Sequence, residues 1–176
     1  TLGVDLSHAH LLCHDMGDTV CQELLARGLV FRSVTFTNGG MRVHRSSFRM
    51  TQILLRLPVI GPALARFRVP AIFLRQVRGL FSDPARAPEA ELRAWFAQIG
   101  HRGGHRNLPR LISYLDDRYR FEPRWIRHLA RYAAAGHSVQ ILWGADDKVA
   151  PLIIFQELRE LLPASVRFEE LAGAGH

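Results

Sequence analysis

"LLCHDMGDTVCQELL", Leu11 to Leu25, is the stretch whose reading decides the fold. "AHLLCHD" (Ala9 to Asp15) reads as a short buried strand. "DTVCQELLARG" (Asp18 to Gly28) reads as a helix, with Val20, Leu24 and Leu25 on one side and Gly28 as its stop. Between them Cys13-His14-Asp15-Met16-Gly17 has the form small-x-acid-x-small. An abrupt strand-to-helix corner needs small residues on both sides, because bulky side chains there would collide. Asp15 is then either an N-cap, a common role for aspartate before a helix, or a nucleophile held above the sheet by a strained backbone. In the second case the helix N-terminus points at the site, and the backbone N–H of Met16 is a candidate oxyanion donor.

Working outward, "FRSVTFTNGG" (Phe31 to Gly40) is a second strand, so strand, helix and strand form a βαβ unit and imply a parallel sheet. From Met41 to about Phe121 the strand signal vanishes. Prolines cut this region into short helices, such as Glu89 to Ile99 and Leu108 to Tyr119. "EPRWIRHLARYAAAG" (Glu122 to Gly136) reads as a new helix with Pro early and Gly at its end. "HSVQILWG" (His137 to Gly144) is a strand, "LIIFQELRELLP" (Leu152 to Pro163) a helix and "SVRFEEL" (Ser165 to Leu171) a last strand. The expected class is α/β, with parallel strands flanked by helices: a core part over 1–40, a helical cap over 41–121 and a second core part over 122–176. Functional groups of such sheets gather at the carboxyl ends of the strands. Those ends carry Asp15, Asn38, the Gly144-Ala145-Asp146-Asp147 turn and His176.

The chain has 176 residues, 48% of them hydrophobic, and a net charge of +7. Lys148 is the one lysine among 23 basic side chains. Arginines scattered among apolar residues do not form a phosphate-binding stripe, and no nucleic-acid partner is expected. Cys13 and Cys21 are spaced wrongly for a CxxC unit and read as buried free thiols; no metal site follows. Apolar runs such as "LPVIGPALA" (Leu57 to Ala65) are far short of the roughly 20 residues of a membrane span. The expected compartment is the cytoplasm, with an N-terminal targeting segment left open. The three tryptophans read as core or pocket wall.

The corner, the G-x-x-D turn and the terminal "GAGH" follow one another on successive strand ends. Together they make the chain resemble α/β-hydrolase-fold proteins of the epoxide hydrolase and haloalkane dehalogenase type. "HDMGD", "TNGG" and "YLDDRYRFEPRW" (Tyr114 to Trp125) are most similar to the mesoderm-specific transcript homologue branch and related bacterial hydrolases. The resemblance implies Asp15 as nucleophile, Asp147 as acid in preference to Asp146, His176 as base and Met16 as oxyanion donor. It implies a hydrolase without a cofactor, acting on a small apolar organic substrate through an alkyl ester on Asp15 that His176-activated water cleaves. Met16 has no side-chain N–H for a departing halide, so an epoxide comes before an alkyl halide. Tyr114, favoured over Tyr119, is the candidate to protonate the opening oxygen. His14 and Asn38 are further candidates for the substrate site, Asn38 having the plainer alternative of capping the Gly39-Gly40 turn. Asp18 is expected in the first helical turn, where its charge suits the dipole.

The resemblance also implies further strands and a His-Gly oxyanion loop ahead of the corner, where this chain has fourteen residues. The expectation is therefore a fragment with an incomplete α/β-hydrolase fold. Alone it would be poorly stable, prone to self-association and catalytically weak, and a non-catalytic binding protein on a hydrolase scaffold is the alternative. The cationic, amphipathic stretch from His44 to Phe81 reads first as a lid over the pocket and second as a membrane-surface segment.

Overall fold

The computed structural model describes residues 3, 5–48, 50–67 and 69–176. Thr1, and Arg49 and Arg68 of the cationic stretch, lie outside the described residues. The chain order is β1 (His10–Cys13), α1 (Met16–Ala26), β2 (Ser33–Phe36), α2 (Met50–Leu55), α3 (Ile60–Leu64), α4 (Pro70–Arg78), α5 (Glu89–Gly100), α6 (Leu108–Leu111), α7 (Tyr114–Ala134), β3 (Ser138–Gly144), α8 (Ile153–Leu161) and β4 (Arg167–Leu171). The strands form one parallel sheet in the order β1-β2-β3-β4. Cys13 lies opposite Phe36, and Phe36 opposite Ile141, so the segments leaving β1, β2 and β3 emerge at one edge. Alternating β-branched and aromatic residues bury Val34, Phe36, Ile141 and Trp143 in a core shared with Leu129 of α7 and Ile154 and Leu158 of α8. Cys13 and Cys21 are buried free thiols.

Three local expectations are corrected. The helix starts at Met16 rather than Asp18, and its inward face is Asp18, Cys21, Gln22 and Leu25, while Val20 is 54% exposed. The expected break at Phe121 is absent, because α7 runs unbroken through Pro123 from Tyr114 to Ala134. Leu115, Arg118, Glu122, Trp125, Ile126 and Leu129 keep one continuous buried face. That packing outweighs the roughly 3 kcal/mol that an interior proline costs. Trp125 and Trp143 are buried, but Trp95 is largely exposed.

Ion pairs fasten α7 beneath the cap. Glu122 accepts from the backbone N–H of Val43 (2.5 Å) and from Arg42 (2.5 Å). Arg42 also reaches Glu157 of α8 at 2.9 Å. Glu23 of α1 accepts from Arg124 and from the Trp125 indole N–H (2.7 Å).

Candidate active site

The β1–α1 corner is strained. Asp15 has φ +47° and ψ −108°, a conformation that costs a non-glycine residue about 1–3 kcal/mol. The neighbouring strand holds it, since the N–H of Asp15 donates to the carbonyl of Asn38 at 3.1 Å. Asp15 occupies the N-cap position, yet its carboxylate makes no capping hydrogen bond. It faces His176 instead, with Nε2 of the ring 3.8 Å from Oδ2. Met16 opens the helix, so its N–H has no intrahelical acceptor and is available to the site.

His176 is oriented by Asp147. Nδ1 lies 2.7 Å from Asp147 Oδ2, and an ionised carboxylate only accepts, so Nδ1 carries a proton and Nε2 is directed at Asp15. The other oxygen of Asp147 accepts from the N–H groups of Val149 (2.7 Å) and Ala150 (2.9 Å). Asp146 is exposed, and its N–H binds the carbonyl of Ala174 at 2.9 Å. The histidine loop crosses Gly144 so closely that a Cβ there would meet the carbonyl oxygens of Ala174 and Gly175 at 2.7 and 2.8 Å. On its far side the cap holds the loop: His176 N–H donates to Leu80 O at 3.1 Å, and Ser82 Oγ to Gly173 O at 2.7 Å.

Charge follows this geometry. Burial would lower the His176 pKa, but hydrogen bonds and charge from Asp147 and Asp15 override it and raise the pKa to about 9. Burial likewise opposes ionisation of Asp15 and of Asp147, and in each the hydrogen bond to His176 prevails and holds the carboxyl below its usual range. For Asp15 the Arg118 charge adds to this. Tyr114 is pushed upward by burial and then by the charge of Asp15, so its hydroxyl keeps its proton.

Arg118 of α7, absent from the residues singled out in the sequence, is central here. It is buried and donates through Nη2 to the Asp15 carbonyl at 2.8 Å, with Asp15 Oδ1 3.5 Å away. Nε donates to Thr19 Oγ1 at 2.7 Å, and the guanidinium carbon sits 4.6 Å from the centre of the Tyr114 ring. Gly39 and Gly40 make the space. A Cβ on Gly40 would run into the Arg118 guanidinium and stand 3.1 Å from Ser46 Oγ, and one on Gly39 would run into the Asp18 carboxyl and stand 3.0 Å from the Asp15 carbonyl oxygen. Neither glycine has a positive φ; the pair serves close approach.

Tyr114 lines a narrow recess with Asp15, Gly40 and Arg118, whereas Tyr119 packs edge-on to His44. His14 is at the rim, its ring 4.6 Å from that of His176 and its Nδ1 2.9 Å from Thr37 Oγ1. Burial, then the charge of His176, lowers its pKa. Asn38 is turned into the sheet: its buried amide accepts from the N–H of Gly144 (2.6 Å) and donates to the carbonyls of Gly144 (3.0 Å) and Ala150 (3.5 Å), clamping the end of β2 to that of β3. Asp18 does lie in the first turn of α1, but it is fully buried there, and burial, followed by the nearby Cys13, raises its pKa well above the usual carboxylate value, against the charged form expected at the dipole.

The alpha/beta hydrolase family model matches residues 2–176. The Mycobacterium tuberculosis protein LipZ is 36% identical over 172 residues, covering 94% of this chain and 58% of LipZ. The mesoderm-specific transcript homolog protein of Bos taurus is 32% identical over 174 residues, covering 93% and 51%. The chain thus spans little more than half the length of these curated relatives. In fold it is similar to an alpha/beta hydrolase fold protein from Burkholderia ambifaria (TM-score 0.72, 21% identity, 97% of this chain and 60% of that one). It is also similar to the haloalkane dehalogenase DbeA from Bradyrhizobium elkani (TM-score 0.72, 20% identity, 97% and 61%).

Proposed function

The chain belongs to the alpha/beta hydrolase family, and from that premise we propose that it carries the aspartate-nucleophile chemistry of a hydrolase that opens epoxides, with alkyl halides second. One observation carries the reading: the corner carboxylate caps nothing, and it faces a histidine whose other nitrogen is held by a second carboxylate. A carboxylate suits displacement at an sp³ carbon, giving an alkyl ester.

In the first step a carboxylate oxygen of Asp15 attacks the epoxide carbon, the carbon–oxygen bond breaks, and the Tyr114 hydroxyl protonates the departing oxygen. The upward shift of Tyr114 keeps that proton available. Forming the ester removes the charge of Asp15, one of the two anions that hold His176 in its protonated form. His176 becomes easier to deprotonate, and its proton returns to the Tyr114 oxygen that lost one in the first step, which leaves the imidazole free to act as a base. It then takes a proton from water as the water attacks the ester carbon, with the Met16 N–H facing the oxyanion. Collapse releases the diol, whose alkoxide oxygen takes the proton left on the former water oxygen, and restores the Asp15 carboxylate and the protonated His176. Met16 offers no side-chain donor to a halide, which favours the epoxide.

Mass spectrometry of a His176→Gln variant mixed with an epoxide tests this. The ester forms but is not cleaved, so the peptide containing Asp15 gains the mass of the substrate. An unmodified Asp15 across a panel of epoxides and haloalkanes would contradict the reading.

A further inference from the structure

Residues 24–82 contain no aspartate or glutamate, while 41–81 carry eight arginines. Within that stretch α2, α3 and α4 leave large apolar side chains in the open: Met50 is 68% exposed, Val59 81% and Phe67 75%, with Ile60 and Ile72 near half. These helices converge on one apolar cavity of about 310 Å³ inside the cap. Phe67 and Ile72 both line it and stand exposed, so they form its mouth. Ile99 and Leu108 line both this cavity and the cleft that Met16 and Tyr114 border. Arg42 and Arg45 pair with Glu122 and Glu157, and Arg56 and Arg78 with Asp116 and Glu89. Arg66 and Arg75 have no ion pair among the described residues.

We propose that the cap docks on an anionic lipid surface through the exposed face of α2, α3 and α4, with the mouth of the cap cavity turned to the lipid. An acid-free segment with unpaired arginines beside large apolar side chains is the composition of an interfacial element. Its charge complements anionic headgroups, and its apolar side chains reach the acyl boundary. Among the described residues no helix is long and apolar enough to cross a membrane, so the contact is peripheral. Apolar molecules dissolved in the lipid would enter between Phe67 and Ile72 and reach the cleft beside Met16. This passage rests on the reading of Asp15 as nucleophile; the docking does not. The face is also joined to the site, because α4 leads directly into Leu80 and Ser82, which hold the His176 loop.

Co-sedimentation with phosphatidylglycerol and phosphatidylcholine vesicles tests the docking. The protein sediments with phosphatidylglycerol and far less with phosphatidylcholine. Val59→Asp, outside the linings of the cap cavity and of the cleft beside Met16, lowers partitioning about tenfold. Arg66→Glu lowers it about fivefold or more on phosphatidylglycerol alone. Asp15→Asn, which removes the nucleophile, docks as the parent does, so loss of chemistry and loss of docking are separable. In a Phe67→Trp variant the indole emission is quenched by brominated acyl chains, which fixes the direction of the mouth. Absence from phosphatidylglycerol pellets, equal partitioning to both lipids, indifference to Val59→Asp, or an unquenched indole would each overturn the proposal.

Discussion

At the carboxyl edge of the sheet, side chains are held by backbone. Asp147 takes two N–H groups, Asn38 clamps Gly144, and the Asp15 N–H is tied to the next strand. In the cap, the segment running from α2 to α4 leaves large apolar side chains exposed, and Val59 and Phe67 are mostly in solvent. On the proposed reading the two regions would divide the work of a hydrolase. Reacting groups need fixed angles and unusual charge states, which turns between strands and helices supply. Groups that meet an apolar molecule or a surface need area and adaptability, which short proline-broken helices supply.

The sharpest break of that comparison is by substitution at the edge. Asp15→Asn or His176→Gln should lower turnover by about 10⁴-fold, whereas cap changes such as Val59→Asp should leave turnover of a soluble substrate within a small factor. Comparable losses in both regions, measured by steady-state kinetics, would erase the division. Next in size is Arg118→Met. It removes a buried cation and its hydrogen bonds to the Asp15 carbonyl and Thr19, and losing hydrogen bonds of a charged group costs about 1.5–3 kcal/mol, read by denaturant unfolding. Its acid limb of activity should also move upward, since Arg118 helps to keep Asp15 ionised. Gly40→Ala should cost about 2 kcal/mol by pressing on the same guanidinium.

Smaller effects follow from titration. A histidine whose pKa is raised on folding adds stability that is fully present below its ordinary value of 6.5 and lost as the pH climbs through about 9. By NMR the His176 ring should titrate near 9 in the parent and lower in Asp15→Asn, which removes one of its two anionic partners. Asp18 has a raised pKa as well. Its stabilising share is therefore complete below about 3.8 and declines as the pH rises toward the folded-state value. Asp18→Asn should flatten that decline and modestly raise neutral-pH stability in denaturant titrations, with no gain at acid pH.

The strand ends were legible because an abrupt corner, a G-x-x-D turn and a glycine-flanked histidine each demand particular residue types at fixed spacing. Arg118 was not, since nothing local sets it apart from the other arginines and its partner Asp15 lies 103 residues away in sequence. Asp18 was legible as a first-turn acid but not as a buried one, because only tertiary packing turns that face inward. Gly39-Gly40 reads as a turn from composition, but its purpose is clearance for side chains arriving from α1 and α7. Pro123 reads as a helix start, and the long buried face of α7 overrides it. Apolar cap residues look alike in sequence whether they fill a core or stand in solvent.

The most direct test of the aspartyl ester is a single turnover of an epoxide in water enriched in heavy oxygen, with enzyme in excess. Attack by Asp15 delivers one of its own oxygens, so the first diol carries only light oxygen and the label accumulates on the Asp15 carboxylate. Heavy oxygen in the first diol, with none on Asp15, would mean direct attack by water and would contradict the assignment of Asp15 as nucleophile.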